Sequence, residues 1–361
     1  MYLLYFEFPD WISPTIIPGL PFQWYGLMYL VAFGLTWFLT RYQVREQGLE
    51  ITDDQLVDLF FWGIVGLLIG ARLFATLIFN ETGYYFRNPF RIFWPFDGAG
   101  NFTGLQGMNY YGGLLGAVLG FWGYARIKKL DLLRLGDMIV AAVPLGYTFG
   151  RLGNFINGEL FGRVTTAAWG VVFPNAQSFP VSEPWVQDVM ASIGMDTAGA
   201  GAASSAADVS EILVNLPRHP TQLYEGFTEG VLAWFVIWFF LRKRIPFRGF
   251  IIGFYVLWYG AWRFLIDYFR MPLGSYYWLR LAGDPSIPPY RLLTPWNFIA
   301  SQFWSGIMVI AGIAMLFGFR WWSRQQHERS AAQLNAKLEA HSGASRRKKR
   351  AAVEKAIKKK R

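Results

Sequence analysis

Residues 249–269 read GFIIGFYVLWYGAWRFLIDYF, a stretch whose only charged side chains, Arg263 and Asp267, stand near its far end. A bilayer core about 30 Å thick is crossed by about 20 mostly apolar helical residues, so this stretch is long enough to span it. Six more stretches qualify on the same ground, at 22–40, 56–79, 111–127, 135–155, 222–241 and 297–319. Composition agrees, since 53% of the 361 residues are hydrophobic and 16% are charged, where a soluble domain carries about a quarter charged residues. The sequence predicts an all-α polytopic integral membrane protein of seven transmembrane helices.

The connecting segments give the orientation. Arg41 and Arg45 follow the first stretch; Arg126, Lys128, Lys129 and Arg134 follow the third; Arg242, Lys243, Arg244 and Arg248 follow the fifth; and a basic tail follows the seventh. These segments alternate, and basic residues mark the cytoplasmic side. The N-terminus is therefore expected outside and the C-terminus in the cytoplasm. All ten lysines fall in segments assigned to the cytoplasm. The first 21 residues carry Glu7 and Asp10 but no Lys or Arg, unlike the basic start of a cleaved signal peptide, so the first span is expected to be its own targeting signal.

Residues 1–319 are read as one transmembrane catalytic domain and 320–361 as a basic cytoplasmic tail. The tail holds 14 Lys or Arg against three Glu, a surplus of 11 that exceeds the whole chain's net charge of +10. Its simplest partner is the anionic lipid surface rather than nucleic acid. Three longer segments, 80–110, 156–221 and 270–296, face outward. The middle one suggests a small external, periplasmic subdomain, with Ala191–Ala207 as a flexible Ala/Gly/Ser-rich insertion. The chain has no cysteine, which excludes disulfides, thiolate catalysis and thiolate metal sites. No cluster of His, Asp and Glu has metal-ligand spacing, so neither metal nor cofactor is expected.

Charged residues inside spans are costly and point to function. Arg72, Arg151 and Arg263 each fall about 15 to 17 residues into a span that runs outward, which places all three at one depth. Tyr25, Tyr111, Glu225 and Glu229 begin spans running the other way, so they meet that layer. A guanidinium binds phosphate oxygens bidentately and keeps its charge, and three of them at headgroup depth suggest a phospholipid phosphate. The structural alternative pairs Arg263 with Asp267, four residues on, and Arg151 with Glu159. His219 is the one imidazole outside the tail, where His327 and His341 lie. It is either a proton-transfer group or a hydrogen-bonding residue before Pro220. Gly112, Gly116 and Gly120 are spaced for close helix packing, and Gly112 with Gly113 would leave backbone donors open beside the arginines.

The string GRLGNFINGE at 150–159, continued by LFGR at 160–163, is similar to the signature of prolipoprotein diacylglyceryl transferases. WYGLMYLVAF from Trp24, ARLF from Ala71, GGLLG from Gly112, HPTQLYEG from His219 and YGAWRFLIDYFR from Tyr259 resemble that family in order and spacing. The resemblance covers about residues 18 to 319. It implies a bacterial inner-membrane enzyme that moves a diacylglyceryl group from phosphatidylglycerol to the sulfhydryl of the lipobox cysteine of a preprolipoprotein. A thioether forms and glycerol phosphate leaves, the first step of lipoprotein maturation. Arg151 and Arg263 are assigned to the leaving phosphate, where charge accumulates. The resemblance implies that Asn154, Glu159 and Gly162 bind and position the headgroup, that Tyr25 and Tyr259 line the site, and that Asp137 is structural.

One position departs from the family pattern: Tyr111 stands where a histidine before the paired glycines is usual and has been the favoured general base. A thiol must lose its proton to attack, and the acceptors left open are Tyr111, His219, Glu159 and the lipid phosphate. The rival functions are a lipid or anion transporter using the same arginines and a non-catalytic membrane scaffold. A transporter needs polar residues through the full membrane depth, whereas here they gather in the outer half.

Overall fold

A computed structural model of the chain describes residues 5–17, 23–78, 83–96, 100, 107–195, 212–271, 279–280 and 297–358. For Tyr110, Tyr111, Leu279, Arg280, Asn297, Ala300, His327, Ala331 and the residues after Ala332 only the backbone is described. The insertion expected at Ala191–Ala207 lies, from residue 196 onward, outside the described residues, as does most of 270–296.

Each apolar stretch falls on a helix. They are α1 (Trp24–Glu46), α2 (Asp53–Leu73, prolonged by a π-helical turn Phe74–Ile78), a short α3 (Tyr84–Arg87), α4 (Tyr110–Ile127) and α5 (Leu132–Ile156). After α6 (Pro184–Ile193) come α7 (Thr221–Leu241), α8 (Phe250–Ile266) and α9 (Ala300–Lys358). Among the described residues, Asp53–Ile78, Leu132–Ile156, Thr221–Leu241 and Ser301–Ser330 are long and apolar enough to cross a membrane, and Phe250–Ile266 is a shorter apolar helix. Only 22% of the most apolar window of α2 and 17% of that of α9 is buried against protein. Their apolar residues thus face outward, as they must when the surrounding solvent is hydrocarbon.

Glycine sets how the helices meet. Side chains on Gly66 or Gly116 would overlap the other's backbone carbonyl, and one on Gly70 would overlap that of Gly112. α2 and α4 therefore pack backbone on backbone, as small residues permit in membranes. Gly226 and Gly230 of α7 face Thr148, and Gly226 also faces the Arg151 Cβ. Gly260 and Gly312 do the same between α8 and α9.

The basic connectors meet at one end of the bundle. Asp53 pairs with Arg41 and Arg45 at 2.5 and 2.9 Å, Glu46 pairs with Arg242 and Lys243, Arg248 reaches Asp131 at 2.6 Å, and Arg134 donates to Gln47. Asp137, near this end of α5, accepts from the N–H groups of Gly249, Ile251 and Ile252 and so caps α8.

At the opposite end, the described residues of segment 156–221 gather around a core of their own. Val164, Phe179, Val186, Met190, Ile193 and Leu216 are buried together. Short strands β1 (Phe6–Glu7) and β2 (Val171–Val172) pair in parallel, and β3 (Phe179–Pro180) and β4 (Leu213–Val214) antiparallel. Arg218 is 1% exposed, and its guanidinium carbon lies 5.6 Å from the ring centre of Phe161 and 5.1 Å from that of Phe179. Further along, β5 (Leu279–Arg280) pairs with β6 (Asn297–Phe298).

Candidate active site

α5 stops where its sequence turns to Asn157-Gly158. Gly158 adopts a φ of +63°, the left-handed geometry that ends many helices. The chain folds back, so that the Glu159 N–H donates to the Asn154 carbonyl at 3.0 Å. This brings Glu159 Oε1 within 2.9 Å of Asn154 Nδ2 and 3.4 Å of Asn157 Nδ2. Asn154 Oδ1 in turn accepts from Arg151 Nη1 at 3.1 Å. The direct Arg151–Glu159 pair anticipated from the sequence is replaced by a link through Asn154.

The carboxylate that Arg151 meets is Glu225, Nε to Oε2 at 2.9 Å. Arg263 Nη1 reaches Glu225 Oε1 at 2.8 Å, and Arg270 Nη1 reaches the same oxygen at 3.2 Å. Arg263 Nε also lies 3.3 Å from Asp267 Oδ1, the expected pair four residues on. Glu225 is 1% exposed. Guanidiniums from α5, α8 and the segment after α8 thus share one buried carboxylate from α7. Together they carry about fifteen N–H donors against about eight lone-pair sites on the carboxylates of Glu225 and Asp267, so the cluster has donor capacity for a further anion.

The first turn of α7 holds the signature loop in place. Thr221 Oγ1 donates to the Leu160 carbonyl at 3.0 Å, and Gln222 Nε2 donates to the Glu159 carbonyl at 2.6 Å. Gly162 N–H donates to the His219 carbonyl and Arg163 N–H to that of Phe269, both at 2.8 Å. A Cβ on Gly162 would overlap the Phe269 carbonyl and stand 2.8 Å from the His219 and Thr221 side chains. GRLGNFINGE, LFGR and HPTQLYEG therefore interlock, each supplying what the others need.

A family model described as prolipoprotein diacylglyceryl transferase matches residues 14–318. The chain belongs to that family. It is 44% identical to the phosphatidylglycerol--prolipoprotein diacylglyceryl transferase of Treponema denticola, covering 87% of this chain and 94% of the relative. Identity is 39% to that of Treponema pallidum, over 91% and 99%, and 32% to that of Chlorobaculum tepidum, over 91% and 96%. The protein is accordingly a membrane transferase of lipoprotein biosynthesis.

In this transferase the remaining expected residues lie at varying distances from the arginine cluster. Tyr25 packs against Gly153, whose Cβ would lie 3.4 Å from it, and shares a 2.9 Å hydrogen bond with Tyr29. Tyr259 meets Tyr147 edge to face at 5.8 Å. His219 packs on Phe269, and its Nδ1 lies 3.1 Å from the Tyr224 hydroxyl. Burial, with the Arg163 guanidinium nearby, pushes its pKa down to about 4. Arg72 belongs to a separate group: buried, it donates to the carbonyls of Ile92 and Gly107 and lies over the Tyr85 ring. The Gly112 N–H donates to Asn109 Oδ1 and that of Gly113 to the Asn109 carbonyl, so both donors are occupied by the cap of α4. Tyr111 opens α4, and its side chain lies outside the described residues.

The sequence pointed to Glu225 in the same layer as Arg151 and Arg263, and the structure brings the three together, but nothing in the sequence made Glu225 the hub or singled out Arg270 and Tyr147. Arg270 stands just beyond the quoted 249–269 stretch. Tyr147 lies four residues before Arg151, hence on the same helix face.

Proposed function

We propose that the Arg151–Arg263–Arg270 cluster is the phosphate site at which phosphatidylglycerol is cleaved, in a chain of seven transmembrane helices whose arginine end faces outward and whose basic end faces the cytoplasm of the bacterial inner membrane. The observation that carries this reading is the convergence of three guanidiniums on buried Glu225, directly beneath the signature loop. The lipobox thiolate of a preprolipoprotein attacks the glyceryl carbon of the lipid. A carbon–sulfur bond forms, the carbon–oxygen bond to phosphate breaks, and its electron pair leaves with glycerol phosphate. Fixed cations stabilise the charge that grows on that phosphate. Asn154 and Glu159 hold Arg151 and the headgroup in register, and Gly162 keeps the loop seated. Tyr25, Tyr259 and His219 line the rim, and Gly112, Gly113 and Arg72 shape the neighbouring wall. The thiol proton passes to one of Tyr111, His219, Glu159 or the departing phosphate.

The test uses purified protein, phosphatidylglycerol and a lipobox peptide. Glycerol phosphate release should require the peptide cysteine and disappear in Arg151→Ala, and Tyr111→Phe and Tyr111→His report whether the phenol takes part. Full release by Arg151→Ala would remove the arginine cluster from the reaction.

A further inference from the structure

Arg151 stands on a support that the reaction scheme above does not use. Its Nε–H donates to the Tyr147 hydroxyl at 2.7 Å, and its Cζ lies 4.8 Å from the centre of the Tyr147 ring. The Tyr147 hydroxyl in turn donates to Glu229 Oε2 at 2.5 Å, with Glu225 Oε2 at 3.4 Å. Glu229 is 0% exposed, and its other oxygen has no hydrogen-bond partner among the described residues. Among the described residues no ion pair involves Glu229, and its carboxylate receives Tyr147. Tyr259 closes on the Tyr147 ring edge to face.

We propose that Tyr147, anchored by Glu229, is a positioning residue for the transferase reaction: its hydroxyl and ring together aim the Arg151 guanidinium at the lipid phosphate. This rests on the assignment of Arg151 to that phosphate. An arginine side chain loses substantial rotamer freedom when it is fixed, and a guanidinium stabilises a departing phosphate only when its donors point where charge develops. Glu225 meets Arg151 at Nε, the nitrogen whose N–H Tyr147 accepts, and is itself shared with Arg263 and Arg270, while Asn154 takes Nη1. Tyr147 adds the acceptor for that N–H and a ring beneath the guanidinium. The order is fixed from the inside out, with Glu229 held in α7, Tyr147 oriented by Glu229, and Arg151 oriented by Tyr147.

Tyr147→Phe keeps the ring and removes the hydroxyl. Misaiming a catalytic group by about an ångström costs up to about a hundredfold, so kcat for glycerol phosphate release should fall about tenfold to a hundredfold, while KM for phosphatidylglycerol changes little. Glu229→Gln, which keeps an oxygen acceptor, should retain most of the rate, and Glu229→Leu should reproduce the Tyr147→Phe loss. In an Arg151→Lys background, adding Tyr147→Phe should cause no further fall, because the group it aims is gone. A raised KM at unchanged kcat, or full multiplication of the two losses, would overturn the proposal. If Tyr147→Phe does not fold, the Glu229→Gln and Glu229→Leu comparison decides by the same kcat readout. Wild-type rates in Arg151→Lys would instead refute the phosphate assignment, whereas loss in Arg151→Lys with none in Tyr147→Phe refutes the positioning role alone.

Discussion

Glu225 shows how much rests on a single side chain. Removing one member of a buried charge network leaves its partners uncompensated, at a cost of about 3 to 5 kcal/mol. Glu225→Gln should therefore lower the thermal midpoint and abolish glycerol phosphate release, since the three guanidiniums repel one another without it; an unchanged midpoint would show that the arginines do not depend on it. His219 carries a pH signature. Its pKa falls from an ordinary 6.5 to about 4 in the folded chain, so below pH 6.5 the unfolded chain binds a proton that the folded chain refuses. The His219 contribution to stability is complete above pH 6.5 and is lost as pH falls toward 4. Denaturation of wild type and His219→Gln across that range should show the variant losing less stability on acidification. The convergence of Arg151 and Arg263 was legible because charge inside an apolar run is conspicuous. Tyr147 was not, since one tyrosine among 18 carries no mark until its hydroxyl is seen between Arg151 and Glu229.

Individual helices were legible because lipid demands long apolar runs, and the edges of α5 and α8 lie within a few residues of the sequence boundaries. The partner of each helix was not legible. Gly116 and Gly120 were expected to pack closely, and they do, but the α2 face that receives them follows from Gly66 and Gly70, whose carbonyls and Cα atoms are in contact across the pair. Gly112, expected to present free donors, belongs to the same packing and gives its N–H to Asn109. Gly116→Leu should force the two helices apart. Overpacking of this kind costs about 1 to 3 kcal/mol or more, and a lowered midpoint in detergent, with Gly123→Leu as the control at an open position, measures it. The signature loop has an equally specific requirement: Gly162→Ala should destroy activity because the Phe269 carbonyl occupies the space its methyl needs, and an active, stable Gly162→Ala would show that this strap can yield.

The whole molecule separates into an end where arginines converge and an end where basic connectors are tied by ion pairs. The net charge of +10 suggests a uniformly basic protein, yet the surplus belongs to the tail. α9 runs through the tail as one helix of 59 residues, about 88 Å at 1.5 Å per residue, where the sequence suggested a boundary after residue 319. Truncation after Ser330 should leave the turnover of purified enzyme unchanged, because the arginine cluster is assembled from α5, α7, α8 and Arg270; reduced turnover in neutral detergent would assign the distal helix a part in the reaction. The backbone contact between α2 and α4 has a further consequence, one of time rather than shape. These two helices follow each other along the chain with only α3 and a short 3-10 turn described between them, so they can join as soon as both have entered the bilayer. The buried cluster of α5, α7 and α8 must wait for Arg270 to be synthesised. The glycine seam thus gives the nascent chain an early hairpin, joined backbone to backbone, on which the costly ionic half is later assembled.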